Sequence, residues 1–202
     1  MDRQRWRWKA ESFEILELPN VSTKRDSEEW IVHLKTSEAF AWGYCIPVPE
    51  SSRNHILWRA SLHVKQAAGG GLPGIAFRDG ERGILFQANG TEAATSLRFM
   101  LANDKTVGVE TFDMKKLLYP CEMVLEYNAL TGSCGGFIGQ TRAFDVTLPH
   151  RGIPAFPAIT AMEIVTTALQ NEAKNEVRYK DLLLHSKVRR SEERRVGKEC
   201  RS

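Results

Sequence analysis

Two glutamates, Glu122 and Glu126, are the only paired carboxylates on a strand that the sequence predicts clearly. Paired carboxyl groups can hydrolyse glycosidic bonds, at a separation of about 5–5.5 Å in retaining enzymes and about 6.5–9.5 Å in inverting ones. Alternation places both glutamates on one face of the strand, but four residues of strand span about 13 Å. We therefore interpret them as solvated charges on an outer face, and we predict no hydrolase activity from this pair.

Other catalytic and metal-binding patterns are weak in this chain. The five histidines are not accompanied by a nucleophile-elbow motif that would support a Ser-His-Asp triad. The four cysteines form no CxxC motif or Cys/His cluster that would predict zinc. Calcium is the one cofactor left as a candidate, although the residues that could bind it lack EF-hand spacing and are more typical of turns: Asp79, Asn103, Asp104 and Asp113.

The two glutamates lie in a predicted hairpin, residues 122–140, around which we expect the rest of the chain to be built. Turn-forming residues occupy 128–132, and Gly132 is free to adopt a positive φ. Large side chains then oppose small ones across the hairpin, as in a curved sheet that fills its core. The predicted pairs are Met123 with Ile138, Val124 with Phe137, Leu125 with Gly136, Glu126 with Gly135 and Tyr127 with Cys134.

Strands are predicted along most of the remaining chain. Residues 55–66 alternate over the longest stretch, with Trp58 among aliphatic residues on one face. Asp79-Gly80 is a strong turn signal within a second hairpin, residues 74–87. About twelve strands with turns every 8–12 residues, and no long amphipathic helix, predict an all-β sandwich or barrel.

Several segments together resemble the concanavalin A-like lectin/glucanase jelly roll, which includes laminin-G-like modules. They are the long strand containing Trp58, the hairpin GIAFRDGERGILFQ, the hairpin EMVLEYNALTGSCGGFIGQ and the closing strand EVRYKDLLL. The family's Tyr-Asp-x-x-Thr-Gly turn is matched at residues 127–132, and its last-strand pattern at residues 179–184. The usual Asp-Gly after the second strand is replaced by Gln140-Thr141. The resemblance covers about residues 30–186 and implies an antiparallel β-sandwich.

Domains of this family mostly bind carbohydrate, as parts of hydrolases, sialidases or surface proteins. The glucanases among them carry a Glu-x-Asp-x-(x)-Glu motif on one strand, which this sequence lacks. The resemblance therefore implies a non-catalytic, lectin-like module that binds a glycan or polysaccharide and is accessory to a larger glycan-active or surface protein. Two alternatives stay open: a glycoside hydrolase or sialidase-associated fragment with unrecognised carboxylates, and a laminin-G-type protein–protein adhesion module.

A sugar site of this kind would combine aromatic platforms with planar hydrogen-bonding groups on the face of the sandwich opposite the core. The alternation of inward and outward residues along each predicted strand (the parity of the strand) assigns six candidate ligand-binding residues to that face: Arg59, His63, Arg78, Arg98, Glu126 and Phe137. Trp30 and Trp58 fall on inner faces, where we interpret them as packing residues. No catalytic or metal-binding residue is predicted.

The formal net charge of +3 comes from one end of the chain. Residues 188–202 carry six basic and three acidic residues, which leaves 22 of each in the rest. A neutral body gives no electrostatic reason to expect nucleic acid as a partner. We predict that 188–202 is a disordered, extraneous tail, that 30–187 form the sandwich domain, and that 1–29 hold an N-terminal strand and loop, the stump of a longer protein.

No apolar run approaches the length of about 18 residues needed to predict a membrane helix. No signal peptide is visible after Met1. We expect no membrane span. An extracellular or cell-surface location is expected if the parent protein carries a signal peptide upstream of residue 1.

Overall fold

The computed structural model describes residues 4–8, 21–26, 29–34, 40–68, 71–80, 82–88, 94–100, 106–113, 118–168 and 175–188. Within these ranges the chain forms fourteen β-strands and two short 3-10 turns, Glu50–Ser52 and Leu148–Arg151. In chain order the strands are β1 (Gln4–Trp8), β2 (Val21–Asp26), β3 (Glu29–Leu34), β4 (Phe40–Pro47), β5 (Leu57–Ala68), β6 (Gly71–Asp79), β7 (Arg82–Ala88), β8 (Ala94–Met100), β9 (Thr106–Asp113), β10 (Cys121–Asn128), β11 (Ser133–Ile138), β12 (Thr141–Thr147), β13 (Ala161–Ala168) and β14 (Asn175–Lys187).

The strands form two antiparallel sheets, and the predicted β-sandwich is confirmed. The first sheet has eight strands in the order β12-β11-β10-β5-β14-β3-β2, with β1 also paired to β14. The second has six strands in the order β4-β13-β6-β7-β8-β9. Strand β2 lies at an edge of the first sheet and includes residues that we expected to form a loop. Its polar sequence suits an edge strand, whose backbone pairs on one side only.

The register of the central hairpin, β10 with β11, is confirmed at every predicted pair, from Met123 opposite Ile138 to Tyr127 opposite Cys134. Gly132 closes the turn with a φ of +70°. The inward-facing Gly136 makes room for Phe144 of β12, because a Cβ on Gly136 would lie 2.0 Å from the Phe144 ring. The small residues of β11 therefore allow β10, β11 and β12 to pack closely.

The main core lies between the two sheets. Trp58 is 2% exposed, as its parity predicts, and its indole packs edge-on against Phe77 of the opposite sheet at 6.4 Å. Tyr127 is also buried, and its hydroxyl donates to the carbonyl of Phe156 at 3.0 Å and accepts from the amide of Phe156 at 2.5 Å. This pair of hydrogen bonds fixes the segment between β12 and β13 against the core.

A second buried cluster, Ala76, Leu85 and Val165, lies on the other face of the six-stranded sheet. Residues of this cluster alternate along each strand with residues of the main core: Ala76 lies between Ile75 and Phe77, which face the main core. The six-stranded sheet is therefore apolar and buried on both faces at this position. The outer face of the eight-stranded sheet is mixed instead, with the charged Arg59, Glu122 and Glu126 beside the buried Val124.

Three predictions concern residues outside the described part of the chain. The strand position of Trp30 is described, opposite Tyr179, but its side chain is not. Residues 189–202, nearly all of the predicted tail, lie outside the described residues. Asn103 and Asp104, two of the calcium candidates, lie outside them as well. These expectations stay predictions.

Candidate functional site

An open groove of about 550 Å³ lies on the outer face of the eight-stranded sheet. It crosses β14, β5, β10, β11 and β12 near the ends of these strands. We call it the sheet groove and define it by the residues whose side chains or backbone line its floor and ends: Leu57, Arg59, Glu126, Asn128, Ser133, Gly135, Arg142, Asp145, His185 and Lys187.

Two cross-strand rows bring these residues together, although they come from distant parts of the sequence. The first row runs across five strands as His185, Arg59, Glu126, Gly135 and Asp145. The second row lies two residues along each strand and runs as Lys187, Leu57, Asn128, Ser133 and Thr147. Residues two apart on a strand point to the same face, so both rows face solvent on the groove side.

The first row contains arginine–carboxylate ion pairs. The Arg59 guanidinium pairs with the Glu126 carboxylate of the neighbouring strand, and Arg142 pairs with Asp145 on its own strand. All four side chains stay between 38% and 56% exposed, so they are accessible to a ligand. Exposed pairs of this kind add at most about 1 kcal/mol to stability. Their larger effect is to hold donors and acceptors in a fixed arrangement.

Gly135 leaves a gap in the middle of the first row. It stands between Glu126 on one side and Asp145 on the other, and it has no side chain to fill the space. A Cβ at this position would lie no closer than 3.8 Å to any other heavy atom. The groove floor at this position is therefore backbone alone, with a charged side chain on either side.

The hairpin turn orients the polar groups of the second row. Oδ1 of Asn128 accepts from the amides of Leu130 and Thr131 at 3.0 and 3.3 Å. The Thr131 hydroxyl donates to Oγ of Ser133 at 3.0 Å. These bonds hold Asn128 and Ser133, which face each other across β10 and β11, at one side of the groove.

One end of the groove is supported from below by a buried polar contact. Nδ1 of His55 lies 2.6 Å from Oγ of Ser186 in a hydrogen bond, and Nε1 of Trp58 donates to the carbonyl of His55 at 2.8 Å. Burial lowers the pKa of His55 from its ordinary value. Ser186 is 2% exposed and points to the core side of β14, so this pair positions the strand end and is not placed to attack a ligand in the groove.

The structure brings two of the six predicted site residues into the groove, Arg59 and Glu126. His63 and Phe137 are on strands of the same sheet and share that outer face but lie outside the groove; His63 is opposite Glu122. The Phe137 ring is also covered, because the Arg142 guanidinium stacks over it at 5.2 Å. The Arg142 guanidinium therefore lies over one face of this ring.

The other two predicted residues, Arg78 and Arg98, belong to the six-stranded sheet. Arg78 donates from Nε to Oε2 of Glu163 at 2.6 Å, and Arg98 occupies the strand position opposite Leu85. The strands of both residues belong to the opposite sheet and not to the sheet of the other four. Alternation along a strand predicts whether a side chain points into the core or away from it, but it does not predict which sheet the strand joins. The expectation that all six residues share one face fails for this reason.

Eight of the ten groove residues were not predicted as site residues: Leu57, Asn128, Ser133, Gly135, Arg142, Asp145, His185 and Lys187. For the last two the reason is a register shift within β14. Tyr179 and Leu182 both face the core although their numbers differ by three, so the inward parity changes between them. A strict alternation that starts from Tyr179 would place His185 and Lys187 inside.

The described carboxylates on the groove face of β10 and β12 do not occupy adjacent positions. Glu122 is opposite His63 and Glu126 is opposite Arg59, so the two glutamates do not form a pair. Glu126 and Asp145 are two strand spacings apart, about 9.6 Å between backbones. Each of these two is ion-paired with its own arginine.

Metal and membrane features are also absent from the part of the chain that the structure describes. No group of three or more His, Cys, Asp or Glu side chains there is arranged to hold a metal ion. Asp79, a calcium candidate, forms an ion pair with Arg82. No helix among the described residues has the length and apolar character needed to cross a bilayer.

Comparison with known proteins identifies the fold. No protein-family model matches the chain, and no curated protein sequence matches it. Among solved structures, a Bacillus subtilis protein of unknown function with a galectin-like fold is similar with a TM-score of 0.59 at 10% identity, covering 94% of this chain and 91% of that one. The laminarinase catalytic domain of Thermotoga maritima is similar with a TM-score of 0.57 at 6% identity, covering 84% and 81%.

A third solved structure, the apo Crh5 transglycosylase, is similar with a TM-score of 0.51 at 9% identity, covering 92% of this chain and 84% of that one. Identities this low establish the architecture and nothing finer. The chain has a concanavalin A-like lectin/glucanase jelly-roll fold, as the sequence patterns indicated.

Proposed function

We propose that this chain is a non-catalytic carbohydrate-binding module, accessory to a larger glycan-active or surface protein, and that the sheet groove is its sugar site. The observation that carries the proposal is the first cross-strand row, in which two fixed ion pairs flank the gap at Gly135. An open groove with convergent polar groups and a preformed shape is typical of small-ligand sites.

The chemistry of the row suits sugar hydroxyls. A hydroxyl can donate to a carboxylate oxygen and accept from a guanidinium N–H at the same time, and Arg59 beside Glu126 offers both. Bonds to ionised groups are stronger than those between neutral groups. Because the ion pairs already hold these side chains in place, less conformational freedom is lost when a ligand binds.

The second row adds an apolar contact and neutral polar groups. Leu57 is 40% exposed and lies beside Asn128 and opposite Lys187 in the register. The C–H face of a sugar ring could pack on Leu57 while its hydroxyls reach Asn128 and Ser133. The similarity of the fold to a galectin-like protein, a laminarinase and a transglycosylase supports a role connected with glycans.

Two matched arginines allow a direct test. Arg59 and Arg78 each lie on a central strand and pair with a glutamate of a neighbouring strand, but Arg59 is in the groove and Arg78 is on the opposite sheet. The wild-type chain and the variants Arg59→Gln and Arg78→Gln would be applied to a glycan array, and thermal melting would show that each is folded. We expect glycan signals that Arg59→Gln loses and Arg78→Gln keeps.

Loss of signal in Arg78→Gln alone would contradict the location of the site. Release of reducing sugar from a polysaccharide by the wild-type chain would favour the hydrolase alternative. Absence of any glycan signal, together with binding to a protein ligand, would favour a laminin-G-type adhesion module.

A further inference from the structure

We infer that the sheet groove selects a saccharide that carries a carboxylate, and that Lys187 binds this group. The inference rests on the proposed function, because it specifies the ligand of the same groove. It follows from the charges that the groove residues leave unbalanced, from the neighbours of Lys187, and from the chemistry of a lysine ammonium.

The groove has one cation more than it has anions. Arg59 is matched by Glu126 and Arg142 by Asp145, so these four charges balance within the site. Lys187 also lines the groove and is exposed, and no carboxylate of the described residues pairs with it. A ligand that enters the groove therefore meets an ammonium group without a counter-ion of the protein.

The position of Lys187 allows one sugar to contact the charge and its neighbours together. Lys187 is directly opposite Leu57 on the adjacent strand, and Asn128 and Ser133 follow on the next two. A sugar ring packed on the exposed Leu57 would have its substituents directed to the ammonium on one side and to the amide and hydroxyl on the other. This order in the second row matches an acidic sugar, with a charged substituent at one end and hydroxyls at the other.

The nature of the cation favours a carboxylate over a phosphate or sulfate ester. An ammonium is a single compact charge that pairs well with a monoanion. A phosphate monoester carries a charge of about −1.5 to −2 near pH 7, which a single ammonium does not balance. A sulfate ester spreads one charge over three weakly basic oxygens, so it accepts a weaker hydrogen bond than a carboxylate does. Both arginines of the groove are already engaged with carboxylates, so the free charge is the lysine alone.

The test compares each acidic oligosaccharide with its own methyl ester, which has the same backbone without the charge. Affinities of oligogalacturonate, oligoglucuronate and oligomannuronate and of their methyl esters would be measured by calorimetry, with a sulfated neutral oligosaccharide as a further arm. For at least one uronate we expect the free acid to bind about tenfold more tightly than its ester, the change expected for one charge-assisted hydrogen bond. This preference should fall as salt is raised, because the pair is exposed.

The substitution Lys187→Gln should bring the ratio of acid to ester affinity close to one, because the ammonium contacts the carboxylate and the ester offers it no charge. Lys65→Gln is the matched control, since Lys65 is an exposed lysine of the same sheet that already pairs with Glu29; it should leave both affinities unchanged. Equal binding of acid and ester, tighter binding of the sulfated sugar, or equal loss of both in Lys187→Gln would overturn the inference while the proposed function stands. Binding of no saccharide at all, charged or neutral, would overturn the proposed function as well.

Discussion

Gly135 and Glu126 lie directly opposite each other on β11 and β10, and the absent side chain of Gly135 leaves the space that Glu126 borders. The next residue, Gly136, faces the other way and lies under the ring of Phe144. Two adjacent glycines thus have different roles. One leaves room for a ligand outside the sheet, and the other leaves room for an aromatic ring inside it.

Substitutions at these two glycines should therefore separate binding from stability. Gly135→Ala should change the free energy of unfolding by no more than about 0.5 kcal/mol, because its Cβ meets nothing closer than 3.8 Å. Gly136→Ala should cost about 1–3 kcal/mol or more, because its Cβ would lie 2.0 Å from the Phe144 ring. Urea unfolding of both variants measures this difference, and equal costs would mean that the hairpin faces are reversed.

A larger side chain at Gly135 should block the groove. Gly135→Val places two methyl groups between Glu126 and Asp145, where a ligand would lie. We expect glycan binding to be lost, while the melting temperature stays close to that of the wild-type chain. Unchanged binding in a folded Gly135→Val variant would show that the ligand does not use this part of the sheet.

Neutralising Glu126 should affect binding more than folding. Its carboxylate is 38% exposed and its partner Arg59 is 49% exposed, so Glu126→Gln should cost less than about 1 kcal/mol. Glycan affinity should fall, because a carboxylate accepts stronger hydrogen bonds from hydroxyls than an amide does. Glu122→Gln, outside the groove, is the control. Turnover of a polysaccharide by the wild-type chain that either substitution abolishes would replace the binding module with an enzyme.

Truncation of Trp58 should destabilise the sandwich strongly. The indole is 2% exposed and contacts Phe77 of the opposite sheet, so Trp58→Ala should cost about 3–5 kcal/mol. The neighbouring Leu57 is 40% exposed on the other face, so Leu57→Ala should cost far less. A loss under about 1 kcal/mol for Trp58→Ala in urea melts would contradict the assignment of faces in β5.

The buried His55 should make stability depend on pH. Burial lowers its pKa in the folded chain below the ordinary value of 6.5, so the unfolded chain binds the proton more readily. The stabilisation is therefore complete above about pH 6.5 and is lost as the pH falls from there toward the lowered pKa. Urea unfolding between pH 8 and pH 5 should show this decline, and His55→Gln should make it shallower.

The exposed His150 provides the comparison for this experiment. His150→Gln, a substitution of the same type at an exposed position, should leave the pH dependence of the wild-type chain nearly unchanged. Parallel curves for the wild-type chain and His55→Gln would show that His55 is not the group responsible.

The fold and the register at the centre of the groove floor could be predicted from the sequence because local signals determine them. The turn at 128–132 sets the register of β10 and β11, and this register fixes Glu126 opposite Gly135. The pairing of Glu126 with Arg59 needed the non-local contact between β10 and β5, which no local pattern encodes. Alternation nevertheless placed Arg59 and Glu126 on an outer face, because the alternation within β5 and β10 is undisturbed.

The remaining site residues depend on features that alternation does not report. Arg78 and Glu126 both face outward, but the partner strands decide that they belong to opposite sheets. The register shift between Tyr179 and Leu182 reverses the parity of the last strand and turns Lys187 outward. Lys187 therefore reaches the groove because of backbone irregularity, and a residue-by-residue reading of the strand places it in the core.

A saccharide bound in the sheet groove should perturb the outer face of the eight-stranded sheet. Chemical-shift changes of backbone amides during titration with a saccharide found on the array would locate the site residue by residue. We predict that the largest changes occur at Arg59, Glu126 and Gly135 and that Arg78 and Glu163 on the opposite sheet change little. Largest changes at Arg78 and Glu163, or a saturable shift pattern that leaves Gly135 unaffected, would contradict this location of the site.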